Sequence, residues 1–219
     1  MYTVAFVEDE TDLSNLIKTY LETAGYNVVC LTSGRDALNY IGNKVDIWIL
    51  DIMLGDDISG YDIIKEIRKQ NETVPVIFTS ARDQDLDKIL GLELGSDDYI
   101  TKPYSSKELV LRVNNIIKRV YKNENNNLIK YDIYTIDTDK RKVSEDNKEI
   151  KLTTLEFDLL LLFLKNKDKC FKREEILEAV WGSDYFGSDR VVDDLIRRLR
   201  KKVPNINISA IYGFGYRLS

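Results

Sequence analysis

Five short apolar runs alternate with five stretches of helical periodicity across the first 120 residues, and few folds accommodate that alternation. The runs are TVAFV at 3–7, NVVCL at 27–31, VDIWIL at 45–50, PVIFT at 75–79 and DYIT at 98–101. Helical patterns fill 11–24, 34–42, 61–70, 84–94 and 105–121. The first of these offers Leu13, Leu16, Ile17, Tyr20 and Leu21 at helical spacing, with Thr11 or Asp12 to cap it and Gly25 to end it. Strands joined through helices run parallel, and a parallel sheet needs both of its faces covered. The expected architecture is therefore α/β, a doubly wound five-stranded parallel sheet.

That topology gives the polar residues behind each run a common address. Glu8 and Asp9 follow the first run, Asp51 the third, Ser80 the fourth, and Lys102-Pro103 the fifth. In a parallel sheet these strand ends share one edge, and ligands bind in the crevice outside it. Three carboxylates brought together repel one another unless a cation or protons intervene. Hard oxygen ligands with few fixed protein contacts suit Mg²⁺, which keeps its waters and binds phosphate alongside. The constellation reads as a phosphoryl-accepting aspartate site.

Residues 122–127, KNENNN, are too polar to bury a core and read as a linker between a domain at 1–121 and a second at 128–219. The second domain opens with short strands such as YTID, RKVS and KEIKL within 128–152. Helical patterns follow at 154–165, 173–181 and 189–203, and the chain closes with a hairpin, NISAIYGFGYRLS. Sheet, three helices and closing hairpin is the order of a winged helix, a helix-turn-helix variant.

Composition narrows the chemistry. The 219 residues contain no histidine, which removes His-dependent triads, most zinc sites and any phosphohistidine within the chain. A phosphoryl group that arrives from histidine must come from another protein. Residues 1–120 carry 13 Lys and Arg against 20 Asp and Glu, whereas residues 121–219 carry 19 against 17. An acidic half joined to a weakly basic one suggests two jobs, with nucleic acid a partner for the second. The two cysteines, Cys30 and Cys170, fall in different domains and read as buried free thiols. No apolar stretch approaches membrane-spanning length and the first ten residues lack a signal-peptide pattern, so the expected location is cytoplasmic, without a membrane partner.

The strings VEDE, LDIML, the Ser80-Ala81 pair, LGSDDYITKPY, LTTLEFDLLLLFL, REEILEAVWG and GFGYRL together resemble the two-component response regulators of the OmpR/PhoB winged-helix family, over nearly the whole chain. The resemblance implies a flavodoxin-like receiver domain, with Asp51 accepting phosphate from a partner sensor histidine kinase. It further implies Mg²⁺ held by Glu8, Asp9, Asp51 and the backbone carbonyl of Met53. Lys102 would bind a phosphoryl oxygen, placed by a cis peptide bond to Pro103, and Ser80, where most relatives have threonine, would bond the phosphate. Tyr99 would turn inward behind Ser80. Such a protein is a phosphoryl acceptor, with Mg²⁺-dependent self-phosphorylation and slow self-dephosphorylation, and not a metabolic enzyme. A phosphatase of the haloacid dehalogenase type would need a second aspartate two residues after the nucleophile, where Met53 stands. A DNA-binding module whose receiver is never phosphorylated is the other competitor.

The resemblance also implies a homodimer on phosphorylation, bridged by Lys88, Asp97, Asp98, Glu108, Arg112 and Arg119, with a pair such as Asp98 and Arg112. The dimer would bind promoter DNA at a direct repeat or paired half-sites. In DRVVDDLIRRLRKKV, the stripe Val192, Ile196, Leu199 and Val203 should bury. Arg190, Asp194, Arg197 and Lys201 lie opposite, with Arg198 on the flank, and such a helix fits the major groove. Three departures stand out. GDDISG at 55–60 lacks the usual proline and is one residue longer, adding Asp56 and Asp57 near the site. Leu195 stands where relatives often have histidine, and Tyr212 where they have a wing arginine, although Tyr212 can still touch sugar or phosphate.

Overall fold

The computed structural model describes residues 1–55, 57–81, 90–121, 128–146, 148–182 and 190–219. The chain divides into two compact units, Met1–Lys122 and Asn123–Ser219. The linker expected at 122–127 lies outside the described residues.

The first unit runs β1 (Thr3–Val7), α1 (Thr11–Thr23), β2 (Asn27–Leu31), α2 (Gly34–Tyr40), β3 (Ile47–Asp51), α3 (Gly60–Gln70), β4 (Val76–Ser80), α4 (described over 90–93), β5 (Asp98–Thr101) and α5 (Ser106–Tyr121). The strands form one parallel sheet in the order β2-β1-β3-β4-β5. Its neighbours reverse around β1 and β3, so the crevice falls at the C-terminal ends of those strands, the switch point of a doubly wound sheet. Side-chain alternation splits the core in two. Val4, Phe6, Ile49 and Ile77 face α1 and α5 through Ile17, Leu21, Leu109 and Val113. Ala5, Val7, Trp48, Leu50 and Phe78 face α3 through Ile63, Ile64 and Ile67. Each fully buried side chain of this size contributes about 1.5–3 kcal/mol, which fixes the sheet and with it the crevice.

Several expectations shift. β3 and β4 each extend one residue further than their apolar runs, so Asp51 and Ser80 are the last residues of strands. Neither Thr11 nor Asp12 caps α1: both lie inside it, and Glu10 holds the cap position without a side-chain hydrogen bond. Cys30 and Cys170 are free but only half-buried. At α3, Ser59 and Asp62 form a reciprocal capping box. This satisfies two orphan backbone donors and pins the end of the atypical 55–60 loop.

The second unit opens with an antiparallel sheet of β6 (Leu128–Tyr131), β7 (Tyr134–Asp137), β8 (Lys142–Glu145) and β9 (Lys148–Ile150). Helices α6 (Thr154–Lys165), α7 (Arg173–Trp181) and α8 (Arg190–Lys202) follow, and a second sheet pairs β10 (Cys170–Lys172), β12 (Gly215–Leu218) and β11 (Ile208–Ile211) in that order. β10 is a strand that sequence periodicity misses, because three residues are too few to show alternation and pairing with β12 supplies the order. α8 buries more than its expected stripe: Val191 and Leu195 join Val192, Ile196 and Leu199 against the rest of the unit. The apolar Leu195, where relatives often carry histidine, therefore belongs to the core.

Candidate functional site

The edge at the ends of β1, β3 and β5 gathers one ammonium and three carboxylates. Lys102 Nζ donates to Asp51 Oδ2 at 2.6 Å and to Glu8 Oε1 and Oε2 at 3.0 and 2.8 Å. Glu8, Asp9 and Asp51 each present an oxygen within 4.8 Å of the others, Glu8 and Asp51 from buried positions and Asp9 from an exposed one. Burial, reinforced by the charge of Asp51, pushes the Glu8 carboxyl up to about 7 against the pull of Lys102. Burial alone would depress the Lys102 ammonium, but its bonds to Asp51 and Glu8 outweigh that and hold it above its ordinary value. Lys102 thus bonds two of the three carboxylates, and the set keeps an excess of negative charge that a second cation would offset. The Lys102-Pro103 peptide bond is cis.

Backbone packing orients the Asp51 carboxylate. Asp51 Oδ1 accepts from the Met53 amide at 3.0 Å, leaving Oδ2 to face Lys102. Gly60, the first residue of α3, lies so close to the strand end that a Cβ there would sit 2.4 Å from the Asp51 carbonyl oxygen. Periodicity could not find this requirement. Its signal is the glycine itself, placed after a capping serine. Asp57 is exposed, and Asp56 lies outside the described residues. Tyr104, next to the cis proline, is a site neighbour the sequence reading missed: burial first, then the charge of Glu8, pushes its phenol up to about 12.

Ser80 is wholly buried at the end of β4, and its carbonyl accepts from the Lys102 amide at 2.7 Å. Tyr99 is buried on β5, with its ring edge-on to Phe78 at 6.5 Å. Of the charged residues expected on a dimer face, Lys88 lies outside the described residues. Asp97 is 2% exposed and turned inward: it accepts from the Val76 amide at 2.8 Å, with Arg68 at 3.8 Å and Arg119 at 4.0 Å. Arg112 meets Asp98 at 2.9 Å and Glu108 at 2.8 Å within its own chain. The pair expected to bridge two copies is thus already made inside one.

In the second unit, Arg190, Arg197 and Lys201 emerge exposed from α8, opposite its buried stripe. Asp194 and Arg198 are more enclosed than their helical positions imply. Asp194 is bonded to Arg197, and Arg198 stands 3.3 Å from it, their side chains 14% and 13% exposed. Tyr212 projects fully exposed from the β11–β12 hairpin. Arg173 of α7 donates to Asp193 at 2.8 Å, and the Tyr216 hydroxyl donates to the same carboxylate at 2.8 Å, tying α7 and the hairpin to α8.

A doubly wound sheet with an acidic pocket and a lysine at its switch point, followed by a helical unit closed by a hairpin, defines a receiver joined to a winged-helix effector. Residues 4–114 match the response regulator receiver domain, and residues 147–218 match the C-terminal domain of transcriptional regulatory proteins. The chain belongs to the response-regulator family. It is 50% identical to the transcriptional regulatory protein CssR of Bacillus subtilis, across 99% of this chain and 98% of that one. It is 35% identical to the response regulator SaeR of Staphylococcus aureus, across 96% and 95%. Among solved structures, the response regulator DrrB, a Thermotoga maritima OmpR/PhoB homologue, aligns over 100% of this chain and 99% of its own at 31% identity, with a TM-score of 0.54. A mutant of RitR covers the same shares with a TM-score of 0.75 at 24% identity, a likeness of fold. The protein is a two-component response regulator with a DNA-binding transcriptional effector, and no helix among the described residues is long and apolar enough to cross a membrane.

Proposed function

We propose that Asp51 accepts a phosphoryl group from the phosphohistidine of a partner sensor kinase, and that the phosphorylated chain dimerises on promoter DNA in the cytoplasm, at a direct repeat or paired half-sites. The observation that carries this is the Asp51 carboxylate at the end of the central strand, with Lys102 at 2.6 Å on the oxygen that Met53 leaves open. That oxygen attacks phosphorus, the phosphorus–nitrogen bond breaks, and the imidazole of the kinase leaves. Lys102 follows the new charge as a mobile ammonium, and the Ser80 hydroxyl donates to a phosphoryl oxygen.

The donor set fits Mg²⁺: three carboxylate oxygens lie within 4.8 Å, only Glu8 and Asp51 among them are bonded to the Lys102 ammonium, and the Met53 carbonyl is a further oxygen ligand. Bound there, Mg²⁺ supplies the positive charge that offsets carboxylate repulsion and neutralises charge on the transferring oxygens. Phosphorylation adds roughly −1.5 to −2 charge at Asp51, and the face of α4, β5 and α5 passes that change to a second copy. Since Asp98 and Arg112 pair within the chain, any cross-dimer bridge there forms by exchange of partners. On DNA, Arg197 and Asp194 of α8 face base edges, with Arg190, Lys201 and Tyr212 on phosphate and sugar and Arg198 setting the Asp194 carboxylate.

The test is Phos-tag electrophoresis after acetyl phosphate and Mg²⁺. The chain shifts, and Asp51→Asn, which removes the nucleophilic oxygen at constant size, does not shift and keeps its circular dichroism. Equal labelling of the variant refutes the assignment.

A further inference from the structure

We propose that Lys172 and Phe214 form a second DNA contact beside α8, in which the Lys172 ammonium, steered by the Phe214 ring, holds a backbone phosphate. The inference rests on the reading of α8 as the DNA-facing helix. The hairpin that closes the second unit carries Tyr212, fully exposed, and Phe214, 43% exposed, on either side of Gly213. The hairpin carries no cation between 208 and 216, so a charge to match a phosphate there must come from a neighbouring element.

The neighbouring strand supplies one. β10 pairs with β12 so that Lys172 stands opposite Gly215. The backbones approach so closely that a Cβ on Gly215 would lie 2.0 Å from the Phe171 carbonyl oxygen and 3.0 Å from the Lys172 Cα. Lys172 is exposed, and its Nζ stands 5.7 Å from the centre of the Phe214 ring. An ammonium within about 6 Å of a ring face is attracted by the ring quadrupole, so Phe214 biases where the charge is held.

The surrounding charges leave Lys172 available. Lys172, Arg173, Glu174, Gly213 and Phe214 line one open pocket of about 530 Å³. Arg173 is committed to Asp193 at 2.8 Å and lies over the Tyr216 ring. Lys172 is exposed and makes no ion pair among the described residues; Glu175, the carboxylate nearest in sequence that meets it, accepts from its backbone amide at 2.7 Å. The occupant is duplex DNA, because the same Arg173–Asp193 pair that borders the pocket joins it to α8. A duplex lying on α8 carries one charge per about 1.7 Å and runs past both elements.

The experiment measures binding of the full chain, phosphorylated with acetyl phosphate, to a mixed-sequence duplex over a range of salt. Lys172→Gln lowers the slope of log K against log salt by about 0.9, the loss of one phosphate contact, and leaves the ranking of sequences unchanged. In a Phe214→Ala background the same substitution costs less than in the parent, because the ammonium is no longer steered. Lys201→Gln, on α8, is the control. If Lys201→Gln flattens the slope while Lys172→Gln leaves it unchanged, this contact is refuted and the α8 reading stands. Lys172→Gln flattening the slope while Lys201→Gln and Arg197→Gln do nothing would support the pocket and refute α8 as the main reader. A loss for Lys172→Gln that changes the ranking of sequences also overturns the phosphate assignment.

Discussion

Replacing Arg112 with alanine strands a buried carboxylate, and the cost should depend on pH in a direction the structure sets. Arg112 and Asp98 have side chains 12% and 10% exposed, 2.9 Å apart. Removing one partner of a fully buried pair costs about 3–5 kcal/mol; the tenth-exposed Asp98 keeps its bond from the Tyr99 amide, at 2.8 Å, so about 2–3 kcal/mol is expected here. The companion contact from Arg112 to the more exposed Glu108 adds little. Burial already pushes the Asp98 carboxyl above its ordinary value, with Arg112 opposing that rise. A group whose folded pKa lies above its unfolded value binds its proton more tightly when folded, so its contribution to stability falls as pH rises between the two. Without Arg112 the folded value moves further up. The loss is therefore smallest at low pH, where the folded Asp98 carboxyl takes up its proton with or without Arg112, and grows as pH rises above the usual carboxylate range. Urea unfolding followed by Trp48, in a Trp181→Phe background, should show a midpoint lower by about 1 M at neutral pH, given a slope of about 1–3 kcal/mol per molar. Asp98→Asn should relieve most of that loss. A cost equal at pH 4.5 and pH 8, or one that Asp98→Asn leaves intact, refutes the stranded-charge argument. Phosphorylation-dependent dimerisation of Arg112→Ala, read by analytical ultracentrifugation, should weaken as well. An unchanged dimer fraction with Asp51 still labelling would remove Arg112 from the dimer face.

Gly60→Ala should lower stability by about 1–3 kcal/mol and slow acetyl-phosphate labelling, since its Cβ would sit 2.4 Å from the Asp51 carbonyl oxygen and α3 or the strand end must move. Denaturant melts and the initial rate of the Phos-tag shift check both, and wild-type values for each refute the packing argument. On DNA, Arg197→Ala should relax preference at one base pair by about 1–3 kcal/mol. Lys201→Ala should instead reduce the salt slope by about 0.9 and leave specificity standing. Titration against operator and scrambled duplexes separates the two, and the reverse pattern would mean that α8 sits otherwise in the groove.

Much of the pocket was legible because a parallel sheet is itself a placement rule. Once the runs ending near Val7, Leu50, Thr79 and Thr101 are strands of one sheet, Glu8, Asp51, Ser80 and Lys102 must share an edge, and they do. What the rule does not supply is which oxygen does what: the Met53 amide on one side of Asp51 and Lys102 on the other is a matter of backbone geometry after the strand. The charged face shows the limit more sharply. The resemblance implies Asp97, Asp98, Arg112 and Arg119 on one dimer face, and the structure pairs Asp98 with Arg112 and Asp97 with Arg119 within the chain, yet sequence spacing does not tell an outward carboxylate from an inward one. Asp97 turned inward to the Val76 amide, and Asp98 found Arg112 in its own chain, because a buried carboxylate takes the nearest donors.

The sequence by itself determined the order of strands and helices in the first unit, the sheet they make, the polar residues that share its edge and the basic helix of the second unit. Those follow from local periodicity and from strand-end placement, which depend on neighbours along the chain. Only the tertiary structure decided that Leu195 is core, that Asp194 and Arg198 are half-enclosed, that Gly60 is required against the Asp51 carbonyl, and that Lys172 stands beside Phe214. Each of these depends on how close two distant segments come, and a three-residue strand such as β10 has no pattern of its own to announce its partner.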